Sequence, residues 1–118
     1  MTFYNTATGR INAIEFESGK LAGDTLICIH GFFCDARIFT YFGRKLSTEG
    51  YNIVSIDLPG HGISDGKKGD LNFDDTIKSI HQTIEQVKKK SSGRIFIIAH
   101  SMGCIFALWY AHLFKASI

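Results

Sequence analysis

The chain has one proline, three cysteines and no apolar run near the roughly 20 residues needed to span a bilayer. The cysteines, Cys28, Cys34 and Cys104, are odd in number and lack metal or redox spacing. They argue against a disulfide framework or a zinc site, and no metal or organic cofactor is implied. Cys28 and Cys104 lie within apolar stretches, which predicts buried thiols in a reducing compartment. Neither sign of charge dominates. Thirteen Lys and Arg against eleven Asp and Glu leave a net charge of +2, too weak a field to argue for nucleic acid. The one basic cluster, Lys88–Lys90, reads as a solvated helix end. There are no internal repeats, low-complexity tracts or linkers. Met1 to Arg10 is polar with no apolar core of a signal peptide, so a cytoplasmic location is expected.

What is present is an ordinary globular composition, 45% hydrophobic and 20% charged, with ten Phe and four Tyr for a core. At 118 residues there is room for one domain only. Residues 1–18 alternate loosely and suggest a hairpin turning at Thr8-Gly9-Arg10. A second turn is expected over Gly19–Asp24. Thr25–Ile29, Asn52–Ile56 and Ile95–Ala99 are short and apolar, as strands buried on both faces must be. Between the first two, a helix is expected from Asp35 to Thr48, with Phe39, Phe42 and Leu46 on one face and Gly50 as its stop. Phe73, Ile77, Ile80, Ile84 and Val87 recur at spacings of four, three, four and three, a second amphipathic helix with Asn72 as N-cap. A third helix follows from Cys104 to Phe114. Short buried strands alternating with helices predict a mostly parallel sheet in a three-layer α/β sandwich, with sites at the carboxyl ends of the strands.

Three special loops fall at those ends: His30-Gly31-Phe32-Phe33, Asp57-Leu58-Pro59-Gly60-His61-Gly62-Ile63-Ser64 and Ala99-His100-Ser101-Met102-Gly103. In the last, a strand turns straight into a helix. Such a turn strains its central residue, and the residues two before and two after it must be small to avoid collision. Ala99 and Gly103 meet that demand. The turn lifts the Ser101 hydroxyl into solvent and aims the Met102 amide, at a helix N-terminus, at negative charge developing there. A serine held in this way is placed to act as a nucleophile. The bland alternative is a serine that merely lies in a tight connection, and the convergence of the three loops argues against it.

These three motifs, in this order and spacing, resemble the α/β-hydrolase family over residues 10–114, and look most like its monoacylglycerol lipase, lysophospholipase and serine aminopeptidase-like branch. The resemblance implies the N-terminal portion of a serine hydrolase acting on carboxylic esters, including lipid acyl esters such as monoacylglycerols or lysophospholipids. Ser101 would be the nucleophile, and the amides of Phe32 and Met102 the oxyanion hole. Gly31 would let the Phe32 amide turn inward, with His30, Ala99, His100 and Gly103 in support. Two departures are small: Ala99 stands where Gly is usual, and Cys104 where Gly is common.

A third departure is larger. The family places its catalytic acid and histidine beyond the helix that follows the serine, and no residue after Phe114 is acidic or a histidine. A serine hydroxyl needs a base to take its proton. His30 and His61 read as loop-fixing histidines, His100 as directed away from the serine, and His81 and His112 as solvated. Asp57 and Asp65 read as turn-formers. The expectation is a single incomplete domain over 1–118, inactive alone, with a small acyl ester as its substrate when completed. The strand before Ser101 would be an open apolar edge, inviting self-association or a complementing C-terminal chain. The alternative is a non-catalytic remnant that binds a ligand or a protein on the same scaffold.

Overall fold

Side chains alternate across a strand, so a wholly apolar strand must be covered on both faces. In the computed structural model, which describes residues 1–19 and 23–115, Thr25–Ile29 and Asn52–Ile56 are covered in that way. Ile95–Ala99, also expected to be buried on both faces, instead lies at the sheet edge with only Ile95 buried and Phe96 exposed. The elements are β1 (Thr2–Thr6), β2 (Gly9–Phe16), β3 (Thr25–Ile29), α1 (Thr40–Thr48), β4 (Asn52–Ile56), α2 (Phe73–Lys90), β5 (Ile95–Ala99) and α3 (Gly103–Leu113). One sheet has the order β1-β2-β4-β3-β5. The β1–β2 hairpin is antiparallel and joins β4 antiparallel, whereas β4, β3 and β5 run parallel to one another. The expected hairpin, α/β alternation and three layers are all present.

Leu26 and Cys28 project to the α1 side with Ile53, where Phe39, Phe42 and Leu46 cover them. Ile27, Ile29, Val54 and Ile56 project to the other side, onto Ile77, Ile80, Ile84 and Val87 of α2 and Phe106 and Tyr110 of α3. Each fully buried aliphatic side chain contributes about 1.5–3 kcal/mol, so these two layers hold the sheet between its helices. Helix α2 starts where its cap predicts: the Asn72 side chain accepts from the Asp75 amide at 3.0 Å.

Several local expectations are corrected by tertiary contacts. The helix expected from Asp35 opens instead as a 3-10 turn over Ala36–Phe39, capped by the Asp35 carboxylate on the Arg37 amide. The hairpin turns at Ala7 and Thr8, with Gly9 already paired to Thr6 in β2. The turn expected over Gly19–Asp24 falls partly on residues 20–22, outside the described residues. Of the two thiols expected to be buried, Cys28 is and Cys104 is exposed. His81 is half-buried rather than fully solvated: its Nδ1 lies 3.1 Å from the Tyr110 hydroxyl and its ring stacks on Phe114 at 4.0 Å. The helical position is polar in sequence, but α3 packs over it.

Candidate active site

The carboxyl ends of β3, β4 and β5 lie side by side, with Ile29 paired to both Ile56 and Ala99. Ser101 follows β5 with φ of 56°, a left-handed backbone that side chains other than glycine rarely adopt. The turn is held rather than free. The His100 amide donates to the Ile29 carbonyl at 3.0 Å, and the Gly103 amide to the His100 carbonyl at 3.0 Å. At Gly103 a Cβ would fall 2.5 Å from the His30 carbonyl, so the first residue of α3 must be glycine for the helix to sit this close to β3.

The loop after β3 packs directly against this turn. A Cβ built on Gly31 would lie 3.0 Å from the Ser101 Cβ and 3.3 Å from His100 Nδ1. Beyond Gly31 the chain turns back through a Cys34 amide to Gly31 carbonyl bond, which places Phe33 at φ of 61°. Phe32 and Phe33 meet edge to face at 4.1 Å. Among the described residues, neither the Phe32 nor the Met102 amide donates to a protein acceptor.

His30 fixes the loop from below. Its ring is buried, Nδ1 meets the Gly31 carbonyl at 2.6 Å, and Nε2 accepts from the Leu58 amide at 3.0 Å. A carbonyl can only accept, so Nδ1 carries the proton and the ring is neutral. Burial, opposed by the Gly31 hydrogen bond, holds its pKa below the usual 6.5.

Asp57 does more than form a turn. It is buried, and its carboxylate accepts from the Ala36 amide at 2.7 Å, the Asn12 side-chain amide at 2.9 Å and the Ile63 amide at 3.1 Å. One side chain thereby joins β2, the 3-10 turn and the loop after β4. The signal in the sequence was faint: Asn12 is a polar residue inside an apolar strand, and Asp57 directly follows buried Ile56. Asp65 is a turn residue as expected, accepting from the Arg10 amide at 2.8 Å.

The structure thus brings the strained Ser101 turn against the post-β3 loop, with the Phe32 and Met102 amides unused beside it. Among the described residues, no histidine ring hydrogen bonds the Ser101 hydroxyl. His61 lies behind Phe32, ring to ring at 5.8 Å, with Nδ1 on the Pro59 carbonyl. Among the described residues no group of three or more His, Cys, Asp or Glu is placed to hold a metal, and no helix is long and apolar enough to cross a membrane.

The alpha/beta hydrolase fold family matches residues 24–118. The chain is 30% identical over 90 residues to an (E)-2-((N-methylformamido)methylene)succinate hydrolase of Acinetobacter baylyi, covering 76% of this chain and 32% of that protein. It is 31% identical over 96 residues to Lipase 1 of Psychrobacter immobilis, covering 80% and 29%. Among solved structures, Est1E of Butyrivibrio proteoclasticus, with ferulic acid bound, superimposes with a TM-score of 0.91 over 100% of this chain and 49% of that one, at 23% identity. The chain thus spans about a third of the length of these curated relatives. By sequence and by fold, it belongs to the alpha/beta hydrolase family.

Proposed function

We propose that the chain carries the nucleophile half of a serine hydrolase acting on carboxylic esters. Ser101 attacks the acyl carbonyl, and the Phe32 and Met102 amides receive the oxyanion. The observation that carries this reading is the juxtaposition of Gly31 with Ser101, which brings the post-β3 loop and its unused Phe32 amide to the strained serine. Donors fixed in this way before reaction contribute roughly 3–4 kcal/mol each to the transition state. Relatives named as a lipase and as a probable lysophospholipase (BODYGUARD 2 of Arabidopsis thaliana, 26% identical) support an ester, and extend the reading to lipid acyl esters such as monoacylglycerols or lysophospholipids. The catalytic acid and histidine come from polypeptide outside these 118 residues, on a longer chain or a separate one. Over this span alone the site is assembled but has no base, in a single incomplete domain.

Fluorophosphonate labelling tests this, because such probes report an activated serine rather than an exposed one. The 118-residue chain should label weakly or not at all. Adding the part that supplies the acid and histidine should restore labelling, and Ser101→Ala should abolish it. Labelling that survives Ser101→Ala, or a completed domain that never labels, would overturn the proposal. The second outcome would favour a non-catalytic binding scaffold.

A further inference from the structure

One buried ring connects the loop after β4 to the loop packed against Ser101. His30 is fully buried, and its two nitrogens bond to different loops: Nδ1 to the Gly31 carbonyl at 2.6 Å, Nε2 to the Leu58 amide at 3.0 Å. The two roles are not interchangeable. A backbone amide only donates and a carbonyl only accepts, so Leu58 makes Nε2 the acceptor and leaves the proton on Nδ1. The tautomer that Gly31 needs is therefore set by a residue 28 positions further along the chain.

The Gly31 carbonyl and the Phe32 N–H belong to one peptide group. That group is trans, so its C=O and N–H bonds point in opposite directions. Holding the oxygen against the buried ring turns the N–H away from it, to where it donates to no protein acceptor among the described residues. A second donor, the Cys34 amide at 3.2 Å, meets the same oxygen. That bond closes a local turn with Phe33 at φ of 61°. Such a conformation costs about 1–3 kcal/mol and persists only where its surroundings fix it. Relaxation of Phe33 would move the neighbouring peptide. The His30 bond opposes this, being the shorter of the two and the one rooted in the core.

From these contacts we infer that His30 is a positioning residue for the oxyanion donor. The Leu58 amide selects the ring tautomer, Nδ1–H holds the Gly31 carbonyl, and the Phe32 N–H is thereby aimed at the acyl oxygen. The inference rests on the role proposed for the Phe32 amide. It gives the loop after β4 a task, which is to set the direction of that amide through the ring.

Two substitutions separate positioning from filling of the core. His30→Asn keeps an amide donor at the place of Nδ1 and loses the acceptor for Leu58. His30→Gln reaches the place of Nε2 and loses the donor for Gly31. Each variant lacks one buried hydrogen bond, so a merely structural histidine would make them equally harmful. In the ¹³C,¹⁵N-labelled 118-residue chain, the Gly31 carbonyl and Phe32 amide resonances should stay near wild type in His30→Asn and move in His30→Gln. In a completed, active domain, His30→Gln should lower kcat by about 10²-fold with KM unchanged, and His30→Asn should recover about tenfold of that loss. Equal resonance shifts, or equal kcat losses, in the two variants would overturn the inference. Should neither variant fold, the ¹⁵N spectrum of the wild-type ring decides. A protonated Nδ1 with a bare Nε2 supports the inference, and the opposite tautomer or a charged ring at neutral pH overturns it. Peptide direction is read on the resting chain, so its failure is distinct from that of the serine reading, which Ser101→Ala decides.

Discussion

Gly31 and Ser101 approach so closely that a single methyl group on Gly31 would sit 3.0 Å from the Ser101 Cβ. That separation is tighter than carbon atoms normally tolerate, and His100 and its carbonyl close the other side at 3.3 Å. Gly31→Ala must therefore push the post-β3 loop away from the serine. The fold should survive, because the clash is with the Ser101 turn and the paired strands themselves are untouched. In a completed, active domain kcat should fall by about 10²-fold, the usual consequence of displacing one oxyanion donor. Steady-state kinetics on the Gly31→Ala enzyme checks this, and a kcat within twofold of wild type would remove the Phe32 amide from the mechanism.

Asp57 predicts a stability effect without direct chemistry. Its carboxylate meets three donors in a buried position, two of them backbone amides that cannot turn elsewhere. An unsatisfied buried donor costs about 1–3 kcal/mol, so Asp57→Ala should lower unfolding stability by about 3 kcal/mol or more. Asp57→Asn should be intermediate, since one oxygen remains to accept. Urea unfolding by circular dichroism measures both. A loss under 1 kcal/mol for Asp57→Ala would mean that the loops can re-bond without it.

His30 gives the protein a pH response. Its folded pKa is held below 6.5 by burial, so between that value and 6.5 the unfolded chain binds more protons than the native one. Stability from this group is complete above pH 6.5 and is lost as pH falls through the folded pKa. Protonation also converts Nε2 from acceptor to donor, against the Leu58 amide. The lowered carboxyl pKa values of Asp24, Asp35 and Asp65, each set chiefly by hydrogen bonds to an arginine, act in the same direction but at lower pH, below their usual 3.8. Urea midpoints measured from pH 8 to 5 should decline below 6.5 in the wild type and stay flat in His30→Asn. A flat wild-type profile would contradict the burial of a neutral ring.

The limits of sequence reading follow from which contacts are local. The strands were legible because β3, β4 and β5 are short and mostly apolar, and α2 because its apolar spacing and Asn72 cap agree. The serine turn was legible because strand, small residues and helix are contiguous in the chain. What was not legible depends on distant partners. Asp57 becomes a hub only when Asn12, 45 residues earlier, folds beside it. His81 is half-buried only because Tyr110 of α3 and Phe114 just beyond it reach it. The 3-10 turn before α1 departs from the helical expectation, and its Ala36 amide is held by Asp57, 21 residues later in the chain.

The outer edge of β5 and the outer face of α3 lead to the last prediction. β5 pairs only with β3, leaving its other edge open among the described residues, with Phe96 on it. On α3, Ile105, Leu108, Trp109 and Leu113 recur at helical spacing and all are exposed, Leu108 to 73%. A contiguous exposed apolar face marks an association surface, and a stable interface needs about 1,000 Å² buried in total. A second copy also brings an identical open edge, which can pair about a twofold axis without leaving a free end. The isolated 118-residue chain should therefore dimerise with rising concentration in sedimentation velocity. Ile105→Glu with Leu108→Lys should restore the monomer with little loss of stability, since neither side chain contributes to the core. A wild-type chain that sediments as a compact monomer at every concentration would show that this face does not drive self-association.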